Sequence, residues 1–107
     1  MTNSQLAFIF GIAILIAPVA FSQEPPEVER LIKKMPKAVA SYISRRVECN
    51  HWGGEEAYNH ERAKQIEKAV KPLRCDRLDS DEKKLLARYK NNPKIIKAIE
   101  AAKELYL

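Results

Sequence analysis

Apolar residues recur every three or four positions along most of the chain from Val28 onwards. This spacing places them on one face of an α-helix, whereas a strand would show a period of two, which no useful length of the chain has. The groups are Val28, Leu31, Ile32 and Met35; Val39, Tyr42, Ile43 and Val47; Ala63, Ile66, Ala69, Val70 and Leu73; Leu85, Leu86 and Tyr89; and Ile95, Ile96, Ile99, Ala102 and Leu105. We therefore predict an all-α fold, a small bundle of about four helices in a single domain over residues 28–107.

Prolines and glycines divide the first half of this pattern. Pro36 interrupts the first apolar group, so we predict a kink or a new helix start there. The helix that follows should run to about Cys49. Gly53–Gly54 is a strong helix breaker, because glycine costs about 1 kcal/mol relative to alanine inside a helix. Pro72 lies within the next amphipathic segment and should bend or end it.

Two boundaries in the second half carry more specific signals. Asp79 and Glu82 have the spacing of a capping box, so the third helix is predicted to begin with Asp79 as its N-cap. Asp81 adds negative charge in the first turn, where the helix dipole favours it. Asn91-Asn92-Pro93 should end that helix and open the last one.

The N-terminal segment has the features of a secretory signal peptide. Residues 6–21 carry no charge and are fewer than the roughly 20 apolar residues that a membrane-spanning helix usually needs. Ala20 and Ser22 supply an A-x-A-like cleavage site. We expect residues 1–22 to be removed on export to the periplasm, and residues 23–27 to form a short linker. An uncleaved N-terminal anchor is the alternative.

The two cysteines, Cys49 and Cys75, are predicted to form a disulfide, as cysteines of small exported domains usually do. Closing a loop of this size contributes roughly 3 kcal/mol to stability. The bond also constrains the path of the chain. A helix from Gly54 to Cys75 would end about 30 Å from its start, whereas bonded Cα atoms lie within about 7 Å of each other. We therefore expect residues 50–59 to run back along the domain as a long ordered loop.

The chain has a net charge of +5. This charge favours encounter with acidic partners or anionic lipid headgroups. The basic residues are spread along the sequence and acidic residues interleave with much of them, which is typical of a solvated surface. Nucleic acid is not expected as the partner of an exported protein.

The predicted loop is the candidate binding surface. Trp52 is the only tryptophan, and with Tyr58 it is expected to cover the core beside the disulfide. The alternative is that Trp52 anchors a partner, since Trp, Tyr and Arg dominate interface hot spots. The candidate binding residues are His51, Trp52, Gly53, Gly54, Glu55, Glu56, Tyr58 and His60, flanked by Arg45 and Arg46.

No metal, cofactor or catalytic group is predicted. Two thiolates and two imidazoles can hold zinc, and the chain offers Cys49, His51, His60 and Cys75 for this. Their spacing is unusual for zinc, however, and the cysteines are expected to be oxidised. His51 or His60 could act with Glu55 in acid–base catalysis, but there are too few residues here to enclose an ordinary substrate pocket. A non-enzymatic role is therefore expected.

The run CNHWGGEEAYNHERAKQI, followed by LRCDRLDSDEKKLLARY and NNPKIIKAIE, resembles a group of small exported proteins of Gram-negative bacteria with no assigned function. The resemblance covers most of residues 42–102, and its most specific part is Cys-x-His-Trp-Gly-Gly-Glu-Glu. It implies a periplasmic setting. A fainter similarity to the LprI-like lysozyme-inhibitor family rests on Cys75, Leu85, Tyr89 and their spacing; that family's further cysteines are absent.

Two functions follow as expectations. The first is a non-enzymatic periplasmic binding protein that uses the surface around Trp52, in one version an inhibitor or immunity protein that blocks a wall-degrading enzyme. The second is a structural or stress-related envelope protein that acts through its basic surface on membrane or cell-wall polymer. A diffuse, charge-driven contact weakens steeply with salt, whereas an interface anchored by Trp52 should not.

Overall fold

The computed structural model describes residues 25–106, so the predicted signal peptide lies outside the described residues. Within this range the chain forms α-helices and short 3₁₀ turns without a strand, which confirms the prediction of a small all-α bundle. The elements are α1 (Pro26–Ile32), α2 (Lys37–Gly53), α3 (His60–Val70), two 3₁₀ turns (Lys71–Leu73 and Cys75–Arg77), α4 (Leu78–Arg88) and α5 (Pro93–Lys103). None of these helices has the length and apolar character needed to cross a membrane.

The first helix begins earlier than the sequence pattern suggests. Pro26 is its first residue, inside the segment predicted as a linker. Proline is favourable at this position because its missing N–H would have no partner there in any case. The helix ends at Ile32, and Lys34 then adopts a left-handed conformation with a φ of 62°. Pro36 caps a separate helix, so of the two predicted alternatives the new start is correct.

Helix α2 is the centre of the bundle and contacts α1, α3, α4 and α5. Its buried residues are Val39, Tyr42, Ile43, Val47 and Cys49. The rest of the core comes from Val28, Leu78, Leu85, Ile95, Ala98, Ile99 and Ala102, with Leu31, Ile32, Met35, Leu73, Leu86, Tyr89 and Leu105 half-buried around it. The 3.6-residue pattern in the sequence therefore identified the face that each of α1, α2, α4 and α5 buries.

Helix α2 is one turn longer than predicted, and the prediction of a loop over residues 50–59 is wrong at its N-terminal end. The helix continues through Gly53, and the irregular segment is residues 54–59. A single glycine costs only about 1 kcal/mol, and contacts with other elements oppose that cost. One of them is made by Asn50, whose side-chain amide donates to the carbonyls of Ala102 and Leu105 at 3.1 and 3.0 Å.

The predicted Cys49–Cys75 disulfide is present, with the two Cα atoms 5.8 Å apart. Helix α3 returns alongside α2: Arg62 at its start lies against Trp52, and beyond its end the Leu73 carbonyl accepts from Arg45. Arg74 then adopts a left-handed conformation with a φ of 53° and turns the chain towards Cys49. With its 11 residues, α3 is only about 16 Å long, so the bond needs no long extended loop.

The predicted capping box of α4 does not form. The helix begins at Leu78 with Arg77 in the capping position, and Asp79 lies within its first turn. Glu82 is buried, with 8% of its surface exposed. Its carboxylate instead joins three helices, because Oε1 lies 3.3 Å from Arg46 Nη2 of α2 and Oε2 lies 3.1 Å from Lys103 Nζ of α5.

The same cluster includes the buried phenol of Tyr42, whose oxygen accepts from Arg46 Nε at 2.9 Å. Burial raises the pKa of Tyr42, although the hydrogen bond from Arg46 works in the opposite direction. The hydrogen bond and charge of Glu82 raise the pKa of Lys103. The phenol of Tyr42 and the ammonium group of Lys103 therefore keep their neutral-pH protonation states up to alkaline pH.

Helix α5 begins as predicted. The Asn92 side chain accepts from the Ile95 backbone N–H at 3.2 Å, and Pro93 is the first helical residue. Its C-terminal end is covered by Asn50 of α2. Backbone groups at both ends of α5 thus form hydrogen bonds with asparagine side chains, with Asn92 at the start of the helix and with Asn50 of α2 at its end.

Candidate functional site

A groove lies between the N-terminal end of α1 and the C-terminal half of α2. Its volume is about 350 Å³, and it is lined by Pro25, Val28, Ser44, Val47, Glu48, His51 and Trp52. We call it the Trp52 groove. Val28 and Val47 belong to the core, so the floor of the groove is apolar and continuous with the interior of the bundle. Its volume is at the lower end of the range typical of ligand pockets, about 300–1,000 Å³.

The position of Trp52 is set by groups from the loop and from α3. The ring is half-buried, and the guanidinium carbon of Arg62 lies 5.5 Å from its centre. The Arg62 guanidinium also binds the carboxylate of Glu55, with Nε 2.7 Å from Oε2. His51 meets the indole edge-on, with ring centroids 5.0 Å apart. Because Arg62 is held by Glu55, it fixes the indole in place.

Trp52 therefore does not play the core role expected for it. It is neither in the buried core nor among the half-buried residues that pack on that core. Tyr58, expected beside it, has 79% of its surface exposed. The extra turn of α2 carries Trp52 past the disulfide towards the end of the bundle, where α3 contributes an arginine and no buried residue.

Charged and polar groups lie at the rim of the Trp52 groove. Glu48 and His51 are exposed, and Ser44 is half-buried. The Glu48 carboxylate is absent from the salt bridges of residues 25–106, which involve the carboxylates of Glu55, Asp79, Asp81, Glu82 and Glu100. The groove thus combines an apolar floor with one negative charge that no described cation neutralises.

The other predicted binding residues of the segment lie beside the groove rather than in it. Gly53 ends α2, and a side chain at this position would meet nothing within 4 Å. The N–H of Gly54 donates to the carbonyl of Asn50 at 3.1 Å. Glu56 and His60 are exposed, and His60 is the first residue of α3.

Arg45 and Arg46 do not line the Trp52 groove. Arg45 donates to the Leu73 carbonyl at 2.8 Å and to Asp81 Oδ2 at 2.9 Å, so it ties α2 to the segment after α3 and to α4. Arg46 belongs to the buried cluster with Glu82. Both arginines therefore form hydrogen bonds and salt bridges that join α2 to other parts of the bundle.

Within residues 25–106, no three His, Cys, Asp or Glu side chains come together as a metal site. Both cysteines are in the disulfide, so their thiolates are not available as ligands. Glu55, considered above as an acid–base group, is bound by Arg62.

The sequence interpretation missed the residues that complete the groove, which are Pro25, Val28, Ser44, Val47, Glu48 and, behind the indole, Arg62. A signal for part of this set is present in the sequence. Ser44, Val47, Glu48 and His51 have the spacing i, i+3, i+4 and i+7, which places them on one face of a helix. The prediction that the helix ends near Cys49 removed His51 and Trp52 from that face.

Comparisons of the chain with protein-family models, with curated proteins and with solved structures find no match.

Proposed function

We propose that the chain is a non-enzymatic interaction protein of the periplasm that binds a protein partner through the Trp52 groove. The observation that carries this proposal is the half-buried indole on the wall of an open apolar groove, held by Arg62 and Glu55. Tryptophan is among the residues that contribute most to protein interfaces. An indole that is already fixed loses little side-chain entropy on binding, which favours affinity.

The lining of the groove indicates the chemistry of the partner. Its apolar floor fits one large apolar side chain, and the carboxylate of Glu48 at the rim favours a lysine or arginine beside that side chain. Complementary charge of this kind contributes mainly to orientation and to the rate of association. The partner surface that fits best is therefore an exposed apolar residue flanked by a basic one.

An inhibitor or immunity protein that acts on a wall-degrading enzyme is the more specific version of this proposal. A small disulfide-bonded bundle suits such a role, because a rigid surface binds with a small loss of entropy. Export through the signal sequence in residues 1–22 would place the chain in the same compartment as such enzymes.

The test is capture of partners from periplasmic extract by the tagged, oxidised protein, followed by measurement of Kd with the purified partner. Trp52→Ala should weaken binding roughly 30-fold or more, the effect of losing a hot-spot residue. Glu48→Arg should weaken it through charge reversal without disturbing the fold, since Glu48 is exposed and forms no described salt bridge. Tyr106→Ala is the matched control, because Tyr106 is an aromatic residue with 67% of its surface exposed and lies outside the groove.

The proposal is supported if one partner is retained at high salt and is lost with Trp52→Ala and Glu48→Arg but not with Tyr106→Ala. Near-ultraviolet circular dichroism and a thiol assay confirm that each variant is folded and oxidised. A partner that binds all variants equally would overturn the assignment of the groove. Capture that is heterogeneous and disappears at high salt would favour a charge-driven envelope role instead.

A further inference from the structure

The net positive charge of the chain comes from one short segment. Residues 83–99 contain six of the 19 lysines and arginines and none of the 14 aspartates and glutamates. The remainder therefore has 13 cations against 14 anions, so the whole net charge of +5 arises from this segment. This signal is present in the sequence, but the interpretation of the basic residues as spread along the chain missed it.

The structure places this segment at the junction of α4 and α5. The six residues, which we call the basic corner, are Lys83, Lys84, Arg88, Lys90, Lys94 and Lys97. All six are exposed. Four residues connect the two helices, and each residue advances the chain by at most about 3.6 Å. The end of α4 and the start of α5 therefore lie close together, and their charges add to one local potential.

The charges of the basic corner are not neutralised within the described part of the chain. The salt bridges among residues 25–106 use only Arg45, Arg46, Arg62 and Lys103 as cations. The acidic residues that border the segment are already paired. Asp81 binds Arg45 at 2.9 Å, and Glu100 lies 4.0 Å from Lys103.

Three of these lysines surround a shallow depression of about 660 Å³ at the start of α5. Its lining consists of Lys90, Asn91, Pro93, Lys94, Ile96, Lys97 and Glu100. Pro93 is exposed and Ile96 is half-buried. The surface thus presents apolar carbon between ammonium groups, and it lies on elements that do not line the Trp52 groove.

We propose that the basic corner is a docking surface for an anionic phospholipid bilayer. Ammonium groups bind lipid phosphates electrostatically, each lysine near an anionic membrane strengthening binding several-fold. Pro93 and Ile96 can contact the boundary between headgroups and acyl chains, where apolar side chains add to the affinity. Docked in this way, the chain would hold the Trp52 groove near a membrane surface. The groove lies on α1 and α2, so it would stay available to the protein partner proposed above.

The shape and chemistry of the surface favour a bilayer over other anionic partners. The depression is open, so it does not enclose a small anion and exclude water from it. Lysine is a flexible point charge and does not offer the planar, two-pronged geometry that arginine gives for paired recognition of carboxylates on a protein. Five of the six cations are lysines, a composition that suits a fluid layer of headgroups.

The test measures binding of the oxidised protein to vesicles of phosphatidylcholine with and without phosphatidylglycerol. The protein is purified from cells and its N-terminus is determined by mass spectrometry, so that all variants are compared at the same N-terminus. The test variant combines Lys90→Gln, Lys94→Gln and Lys97→Gln. The matched control combines Lys64→Gln, Lys68→Gln and Lys71→Gln, which removes the same charge from exposed positions on and just after α3.

We expect binding only to vesicles that contain phosphatidylglycerol, with its loss at about 1 M salt, where the Debye length is about 3 Å. The test variant should bind on the order of 100-fold more weakly, and the control variant less than about threefold more weakly. Equal losses in both variants would show a response to net charge alone and would overturn the proposal. Absence of wild-type binding, or equally tight binding to soluble polyglutamate, would also overturn it.

Discussion

The guanidinium carbon of Arg62 lies 5.5 Å from the centre of the Trp52 ring, and Arg62 Nε donates to Glu55 at 2.7 Å. These contacts join the end of α2, the loop that follows it and the start of α3. A tryptophan that would otherwise be open to solvent on this side is thereby kept in one orientation. The wall of the groove thus depends on an arginine ten residues further along the chain.

Replacing Arg62 with alanine should expose Trp52 to solvent. We expect the fluorescence maximum to shift to longer wavelength and quenching by acrylamide to increase, and Trp52 is the only fluorophore of its kind in the chain. The free energy of unfolding should fall by only about 1 kcal/mol, because both the cation–π contact and the ion pair are partly exposed. Arg77→Ala, at an exposed position with no side-chain contact described, serves as the control. Unchanged quenching in Arg62→Ala would contradict the role given to this residue.

Removing the disulfide should release α3 while the rest of the bundle persists. Helix α3 has no buried residue, and it is held by the Arg62 contacts at one end and by the segment that leads to Cys75 at the other. The bond closes a loop with a sequence separation of 26, which predicts a loss of roughly 3 kcal/mol in Cys49→Ser/Cys75→Ser. Hydrogen exchange should become fast in residues 60–70 and stay slow in α2 and α5. Equal loss of protection in all helices would show that α3 is part of the same cooperative unit.

The buried carboxylate of Glu82 should be important for stability. It lies between Arg46 and Lys103, so Glu82→Ala leaves the half-buried guanidinium of Arg46 without this partner. We expect the free energy of unfolding in urea to fall by about 2–3 kcal/mol, somewhat less than for a completely buried pair. Asp79→Ala removes the other carboxylate that binds Arg46. The side chain of Asp79 is 96% exposed, so this change should cost less than about 0.5 kcal/mol. Similar losses in the two variants would contradict the distinction between them.

Stability should decrease at alkaline pH. Burial raises the pKa of Tyr42 above its ordinary value of 10.0, and the Glu82 carboxylate raises that of Lys103 above 10.5. A pKa raised in the folded state gives stability that is complete below the unfolded pKa and is lost as the pH rises through the folded value. Unfolding in urea should therefore be independent of these groups from about pH 7 to 9 and become easier above about pH 10.

Tyr42→Phe separates the contribution of the phenol from that of Lys103. At neutral pH this variant loses the hydrogen bond from Arg46 Nε, which should cost about 1 kcal/mol. Above about pH 10 its stability should fall less steeply than that of the wild type, because one of the two groups that release protons on unfolding is gone. Parallel profiles for the two proteins would contradict this, because they would show that the pKa of Tyr42 is the same in the folded and unfolded states.

The sequence predicted most of the fold because its signals are local. Apolar residues at helical spacing identified the buried faces of α1, α2, α4 and α5, and Asn92-Pro93 identified the start of α5. The same reasoning failed for α3, whose apolar stripe predicts burial although Ala63 is exposed and Ile66 only half-buried. A periodic pattern specifies which residues share a face, but it does not specify how much of that face another element covers.

Where reasoning from local signals failed, distant residues decided the outcome. Asp79 and Glu82 have the spacing of a capping box, but Glu82 is buried, and its carboxylate lies near Arg46 and Lys103. These two cations offset the cost of removing the carboxylate from water. Gly53–Gly54 has the composition of a helix breaker, but Asn50 binds the end of α5 and keeps α2 helical past Cys49. Each of these contacts joins positions that are more than twenty residues apart.

Three properties of this chain can be read from its sequence: it is helical, Cys49 and Cys75 can pair, and the segment around Trp52 differs from the rest. These properties depend on spacing, composition and residue chemistry. The packing of the helices, in contrast, creates the groove between α1 and α2, places Trp52 on its wall beside Arg62, and leaves the basic corner without acidic partners among residues 25–106. Such relationships arise when separate helices pack together, because the residues that meet there are set by the three-dimensional arrangement and not by their distance along the chain.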